Sequence, residues 1–223
     1  MAVVDGSYGR PMKLEENAAL PLAGGIMQRG YQCGMIWGAA LAAGAEAYRR
    51  FGVGPQAEAR AVMAARRIVD AFRASNNAVD CLDITAINKS SSNREMTTYF
   101  FLKGGVVKCF RMAARYAPVA FSEINTALDE DHVKLPSPPI GCAAVFAQKM
   151  GVSDMHRVMA AGLAGGIGLS GGGCGAIDRF AKCTNGEFEC SKIVGRRFED
   201  IGDHVDYLRS GGCSKIIEAL AAG

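Results

Sequence analysis

Residues 22–36 read LAGGIMQRGYQCGMI, and residues 163–177 read LAGGIGLSGGGCGAI. Aligned at a constant offset of 141, from Leu22 to Leu163, the two stretches are identical at 9 of 15 positions without a gap. Such self-similarity is the sequence signature of a structural unit that occurs more than once in a chain. The repeated unit is a glycine-rich loop that ends in a cysteine, Cys33 in the first copy and Cys174 in the second.

A further cysteine follows each loop after a helical stretch with arginines, Cys81 in the first copy and Cys213 in the second. Between the copies, residues 129–141 combine an acidic run with a proline-rich segment, which is typical of a linker. The sequence therefore predicts a first cysteine-repeat half over residues 1–128, a linker over 129–141 and a second half over 142–223. The two halves are also compatible with one pseudo-symmetric domain.

Helical periodicity dominates the chain. Between residues 57 and 74, apolar residues fall at helix spacing while the arginines take the other side, and residues 106–128 give a second such pattern with Cys109 beside its inward face. The residues that carry these two patterns are Val62, Ala65, Val69 and Phe72 against Arg60, Arg66, Arg67 and Arg73, and then Val106, Phe110, Ala113 and Ala117.

One segment breaks this pattern. Residues 96–102, MTTYFFL, are rich in β-branched and aromatic side chains and read as a strand. Ser153 and Asp154, in contrast, can cap a helix that stops at the glycines Gly165 and Gly166. The predicted fold class is mainly α, a duplicated helical bundle with glycine-rich cysteine loops and at most one short β hairpin.

Charge and hydropathy exclude some functions. The 25 Lys and Arg residues against 22 Asp and Glu give a net charge of +3, scattered along the chain, so no basic stripe for nucleic acid is present. Hydrophobic residues make up 49% of the chain, which indicates an oligomer or a subunit of a complex. The start lacks the pattern of a secretory signal, and no apolar stretch is long enough to span a bilayer, so we expect a cytoplasmic protein without a transmembrane segment.

The chain has eight cysteines, more than a cytosolic protein usually carries and fewer than a disulfide scaffold. In a reducing compartment such cysteines indicate metal ligation or transient redox exchange. The alternative is that they are small buried hydrophobic residues. None of them forms a local CxxC pair, so spacing alone does not distinguish these interpretations.

The glycines beside the cysteines suggest a chemical role. Amides at Gly24, Gly25, Gly165 and Gly166 can donate hydrogen bonds to a thiolate or a cluster sulfide, and Gly34 and Gly175 directly follow Cys33 and Cys174. Simple helix packing is the alternative. Residues 166–171 formally match GxGxxG, but a helix rather than a strand precedes them, which disfavours a dinucleotide site.

The remaining candidate ligands are weaker. Cys183 and Cys190 flank a turn but have no counterpart in the first copy, so they rank below the other six cysteines. The three histidines, His132, His156 and His204, lack metal-ligand spacing and are expected at the surface or at helix ends. No hydrolase motif is present.

The cysteine pattern resembles a family of redox-active bacterial and archaeal proteins named for C…CGAxxG…C…C, the C_GCAxxG_C_C family. Residues 142–145, CAAV, resemble its first cysteine segment, and residues 165–176 resemble its central motif. In the first half, Cys33, Cys81 and Cys109 resemble its second, third and fourth cysteines. Met35 and Arg179 depart from the motif, at positions where the family has alanine and glycine.

Read in this way, the chain supplies second, third and fourth cysteines and then a first, second and third, with Cys142 able to serve either half. The resemblance implies redox activity or metal binding. We therefore expect electron transfer through an iron-sulfur cluster, within or for a redox partner or a larger oxidoreductase complex. The expected ligands are Cys33, Cys81, Cys109, Cys142, Cys174 and Cys213. The alternatives are a metal-free thiol-disulfide protein and an accessory subunit with structural cysteines.

Overall fold

The structure is a computed structural model that describes residues 1–131, 137–174, 184 and 186–222. Helices account for most of these residues, and their only extended pairings are two isolated bridges, Gln32 with Asp80 and Gly173 with Glu189. The prediction of a mainly α fold is confirmed.

The chain divides into two compact units. Unit 1 comprises Met1–Ala39 and Ile68–Glu123, and unit 2 comprises Ala40–Arg67 and Ile124–Gly223. Neither unit is a continuous half of the sequence, because the three longest helices each contribute residues to both. The linker over residues 129–141, between the two copies of the repeat, stays a prediction. Its residues 132–136 lie outside the described residues.

Unit 1 is built from short helices around parts of the long ones. Its elements are α1 (Ala2–Ser7), α2 (Lys13–Ala18), a 3-10 turn (Leu20–Leu22), the start of α3 (Gly34–Phe51), the end of α4 (Pro55–Asn76), α5 (Cys81–Thr85), α6 (Asn93–Thr97), a π-helical turn (Thr98–Leu102) and the first part of α7 (Gly105–Asp129).

Unit 2 contains the remaining parts of α3, α4 and α7. Its described residues also form five shorter helices, α8 (Cys142–Lys149), α9 (Asp154–Ala161), α10 (Cys190–Val194), α11 (Ile201–Arg209) and α12 (Ser214–Ala221). Ser153 caps α9 as predicted, since its hydroxyl accepts from the backbone N–H of His156. The helix ends at Ala161, just before the second glycine-rich loop.

Both glycine-rich loops form a left-handed helical turn. Residues 24–28 have φ between 50° and 70°, and residues 165–169 have φ between 57° and 79°. This conformation costs roughly 1–2 kcal/mol for each residue with a Cβ, and glycine avoids that cost. In each turn an isoleucine is held in this strained conformation, and its burial offsets the strain, since Ile26 and Ile167 are 1% and 0% exposed.

The two turns also have the same main-chain hydrogen bonds at the offset of 141. The matching pairs include Gly30 N to Gly24 O (3.0 Å) with Gly171 N to Gly165 O (3.0 Å), and Tyr31 N to Gly25 O (3.2 Å) with Gly172 N to Gly166 O (3.2 Å). A Cβ on Gly25 would lie 2.1 Å from Tyr31 O, and one on Gly166 would lie 2.3 Å from Gly172 O. Glycine is therefore required sterically at both positions.

Small residues allow close helix packing in unit 2. A Cβ on Gly44 of α3 would lie 2.5 Å from the Cα of Met159 in α9, and the alanines of α3 are almost all fully buried. Gly162, which follows α9, lies against the backbone oxygens of Ala40 and Ala61. The alanine and glycine content of α3 thus serves backbone contact between helices.

The predicted strand at residues 96–102 is wrong. Ser92 and Glu95 form a capping box, in which the Ser92 hydroxyl accepts from Glu95 N and the Glu95 carboxylate accepts from Ser92 N. The cap starts α6, and the aromatic run continues it as a π-helical turn, so local capping overrides strand propensity.

The predicted helices at 57–74 and 106–128 are present, but the predicted face is wrong for Arg60, Val106 and Phe110, and Val106 is 41% exposed. Arg60 is 5% exposed, and its guanidinium donates to the backbone oxygens of Ala127 and Glu130. Phe110 is 72% exposed, because the buried face of α7 runs through Tyr116, Ala120, Ile124 and Ala127. Among the described residues, no helix is both long and apolar enough to cross a bilayer.

We expect Gly44→Ala to destabilise the protein by about 1–3 kcal/mol, because the added methyl group meets backbone rather than a flexible side chain. Gly6→Ala in α1 is the matched control, since a Cβ there has no heavy atom within 4 Å and alanine favours the helix by about 0.5–1 kcal/mol. Urea unfolding of both variants measures the difference. Equal or greater stability of Gly44→Ala would contradict the close packing.

Candidate functional site

In unit 1, the bridge between Gln32 and Asp80 brings two cysteines together. Cys33 N donates to Val79 O at 2.8 Å, and Cys81 N donates to Tyr31 O at 2.8 Å. In such an antiparallel pair, residues two apart point to the same side, so Cys33 and Cys81 are diagonal neighbours on one face. Both are buried, at 5% and 8% exposure.

The pKa values of the two thiols are shifted in opposite directions. A hydrogen bond from Cys81 lowers the pKa of Cys33, with a smaller contribution from the Met35 amide, and these effects outweigh burial. The same hydrogen bond and burial raise the pKa of Cys81. Cys33 is therefore the more acidic thiol of the pair, and Cys81 donates the hydrogen bond between them.

Cys109 lies on the first part of α7 near this pair. The Tyr99 hydroxyl lies 4.0 Å from Cys109 Sγ, and the Tyr99 ring packs where a Cβ on Gly105 would be. Burial, followed by the nearby Cys109, raises the pKa of Tyr99 to about 12, so this hydroxyl stays protonated. Unit 1 thus gathers three of the predicted cysteines.

Unit 2 repeats the arrangement with a different cysteine from the one predicted. Cys174 N donates to Phe188 O at 2.8 Å, and Cys190 N donates to Gly172 O at 2.7 Å. Cys190 therefore stands to Cys174 as Cys81 stands to Cys33. The expectation that Cys190 has no counterpart in the first copy is wrong, because the chain between the paired cysteines is much shorter in unit 2 and a search without gaps misses the correspondence.

Cys213 corresponds instead to Cys109. Its thiol is hydrogen-bonded to Tyr207, whose ring packs on Gly212 as the Tyr99 ring packs on Gly105. Burial raises the pKa of Cys213 to about 11. The pairing of Cys81 with Cys213 along the repeat is therefore wrong, and a tyrosine before a Gly-Gly pair near the cysteine was the missed sequence signal.

Four cysteines of unit 2 line one small apolar cavity of about 20 Å³, enough for about one water molecule. They come from the start of α8, from the loop after the second turn, from the start of α10 and from the residue before α12. These cysteines are Cys142, Cys174, Cys190 and Cys213. Phe198, Ile217 and neighbouring apolar residues form the rest of the wall, so Cys142 and Cys190 lie in the core of the unit, while the other two cysteines are half-buried.

His204 lies in the same cavity, 1% exposed, and the expectation of a surface histidine is wrong for this residue. Its Nδ1 is 3.3 Å from Ile140 O, and because a carbonyl only accepts, Nδ1 carries a hydrogen. The ring's other nitrogen is then available to Cys142. Burial opposes ionisation, but the interaction with His204 lowers the pKa of Cys142, and the interaction with Cys142 raises that of His204.

The predicted glycines have two roles. The amide of Gly165 donates to the Cys142 thiol and that of Gly34 to the Cys81 thiol, each favouring the thiolate. Gly24, Gly25 and Gly166 form the left-handed turns. The remaining predictions, Gly175 and Cys183, lie outside the described residues, as does His132.

Burial and the neighbouring thiols, Cys142 foremost, raise the pKa of Cys190. The four thiols therefore interact electrostatically, and ionisation of one thiol disfavours ionisation of a second. Within the part of the chain that the structure describes, no three Cys, His, Asp or Glu side chains are already close enough together to bind a single ion.

A comparison with protein-family models matches residues 1–120 to the family described as "Putative redox-active protein (C_GCAxxG_C_C)". This match spans more than half of the chain and includes Cys33, Cys81 and Cys109. Comparisons with curated proteins and with solved structures gave no match.

Replacing His204 tests its interaction with Cys142. In His204→Asn the amide can still bond Ile140 O but no longer reaches the thiol, so we expect the pKa of Cys142 to rise and its alkylation at neutral pH to slow several-fold. His204→Gln is the control, since its longer side chain places an amide near the thiol. Mass spectrometry of alkylated peptides across pH 6–9 measures this, and an unchanged profile in His204→Asn would contradict the pairing.

Proposed function

The chain belongs to the redox-active C_GCAxxG_C_C family, and on this premise we propose that the cysteines of unit 2 hold an iron-sulfur cluster for electron transfer. The observation that carries the proposal is the convergence of four cysteines, from four separate segments, on one apolar cavity. Four thiolates are the usual ligand set of [2Fe–2S] and [4Fe–4S] clusters.

The donor set fits such a group in number and in chemical softness. The cavity of about 20 Å³ is smaller than a cluster, so cluster binding requires the four side chains to move outward. Three of the four cysteines stand at the start of a helix or just before one, where rotation of a side chain leaves the helix intact.

The surrounding residues have defined tasks in this proposal. The Gly165 amide donates to the Cys142 sulfur, and His204 supplies a second polar contact, so the negative charge of that thiolate is partly compensated. Phe198 and Ile217 exclude water from the sulfurs. A bound cluster would supply one-electron transfer at a potential set by these hydrogen bonds and by burial.

Anaerobic purification followed by iron and sulfide analysis tests the proposal. We expect both elements, together with visible absorption that bleaches on reduction. Cys190→Ala removes one ligand and is expected to lower the iron content by at least half, whereas Cys109→Ala in unit 1 is the matched control and leaves the iron of unit 2 in place. Iron-free protein, or an equal loss of iron in both variants, would contradict the cluster assignment.

A second function, thiol-disulfide exchange, is favoured by the Cys33–Cys81 pair in unit 1. The Cys33 thiolate would attack a partner disulfide and release one partner thiolate, which takes up a proton. Cys81 then loses its proton and attacks Cys33 Sγ, so the second partner thiol leaves. Two protein thiols become one disulfide while the partner disulfide gains two electrons and two protons. The opposite pKa directions of the pair suit these roles.

Mild oxidation by a disulfide reagent, with a chelator present, tests this second function. We expect loss of two thiols and a cross-linked peptide that joins Cys33 to Cys81. In Cys81→Ser, Cys33 should stop at a mixed disulfide with the reagent, because no resolving thiol remains. A control variant, Cys213→Ser, should still form the cross-link. Oxidation without this cross-link would exclude the exchange reaction at this pair.

The predictions of a duplication, of a redox partner, of association and of a compartment belong to the same proposal. Duplication of one ancestral unit is supported by the shared left-handed turns and by the matching cysteine pairs. A redox partner protein or a larger oxidoreductase complex would exchange electrons with the cysteines, and association in an oligomer or complex would cover the exposed side chains of Phe101, Leu102 and Phe110. The cytoplasm is the proposed compartment, where reduced thiols persist.

A further inference from the structure

A second cavity in unit 1 has no role in the redox chemistry described above. It has a volume of about 380 Å³ and lies between the last turn of α4 and the first part of α7. Cavities of this size fall within the range of small-molecule sites in proteins. Its wall contains Ser75 and Asn76 from α4, and Met112 and Tyr116 from α7.

Three cations of α7 also line this cavity. Lys108, Arg111 and Arg115 are three and four residues apart, so they project from one face of the helix. Like charges at this spacing destabilise a helix by a few tenths of a kcal/mol for each pair. In the described ranges none of the three forms an ion pair, and no carboxylate lines the cavity.

The end of α4 does not account for these cations. Cations often compensate for the free carbonyls of a helix C-terminus. Here Asn77 N donates to Arg73 O, and within the described residues none of the three cations hydrogen-bonds to a carbonyl of α4. The three cationic groups therefore face the cavity without a protein acceptor.

Met112 and Tyr116, on the same helix as the cations, add apolar side chains to the lining. Tyr116 is 4% exposed, and its hydroxyl donates to Ile68 O at 3.1 Å, so that oxygen already has a partner. The lining therefore combines three cations with apolar side chains. Guanidinium forks bind phosphate and carboxylate oxygens in pairs, which favours a ligand with more than one negative charge.

We propose that this cavity binds a small-molecule anion with at least two negative charges and an apolar part, such as a phosphate ester of nucleotide size. The juxtaposition that carries the proposal is three unpaired cations and the apolar side chains of Met112 and Tyr116, all from one helix, lining a 380 Å³ cavity. The proposal does not depend on a cluster or on thiol exchange. Tyr116 also lies near Cys33, so the ligand would sit beside the unit 1 cysteines.

Calorimetric titration of the full chain with pyrophosphate, AMP or citrate tests the proposal. We expect saturable binding of one molecule per chain, weakened about 10-fold by Arg111→Gln and by Arg115→Gln, because each loses a charge-assisted hydrogen bond. Lys103→Gln is the matched control, an exposed cation of the same region that does not line the cavity. AMP binding more tightly than pyrophosphate identifies a phosphate ester, and citrate binding more tightly identifies a polycarboxylate.

Three results would overturn the proposal. They are no saturable binding of any of the three probes at millimolar concentration, equal weakening by Lys103→Gln and Arg111→Gln, and binding confined to a large polyanion such as heparin, which would indicate a macromolecular partner. Arg111→Lys keeps the charge without the fork and should fall between the wild type and Arg111→Gln. Circular dichroism of each variant confirms that the helices remain formed.

Discussion

The left-handed turn is the constraint on which the cysteine sites depend. Residues 24–28 and 165–169 each form a left-handed turn with φ values near +60°, and the segment that follows each turn enters an extended pairing, at Gln32 and at Gly173. The strain of the non-glycine residues in each turn is offset by main-chain hydrogen bonds and by a buried isoleucine. Directly after the turn, the chain pairs with the segment that carries the next cysteine.

This geometry explains how thiols that are distant in sequence meet without a local motif. The bridges at Gln32 and Gly173 fix the register, and register decides which side chains share a face. Helix starts then supply backbone amides near sulfur, from Gly34 in unit 1 and from Ala143 in unit 2. The resulting thiols are buried or half-buried and unequal in acidity, which is a physical basis for redox chemistry in this chain.

Sequence reasoning succeeded where the signal is local or periodic. The extents of α4 and α7 followed from apolar periodicity, and the start of α9 followed from one capping serine. It failed where tertiary contacts override the local pattern. Arg60 was assigned to solvent, yet its guanidinium satisfies two backbone carbonyls in the interior. Phe110 was assigned to the core because periodicity defines a face but not which part of a long helix is covered.

The sequence by itself determined that the chain is helical, that a glycine-rich cysteine loop occurs twice and that the protein belongs to a redox-active family. Each of these is encoded in neighbouring residues, through spacing and backbone freedom. The tertiary structure alone decided that Cys190 is the partner of Cys174, that His204 contacts Cys142 and that three cations of α7 line a cavity. These contacts join segments that are separated by loops of unequal length. The periodicity of a sequence does not predict which of such distant segments come into contact.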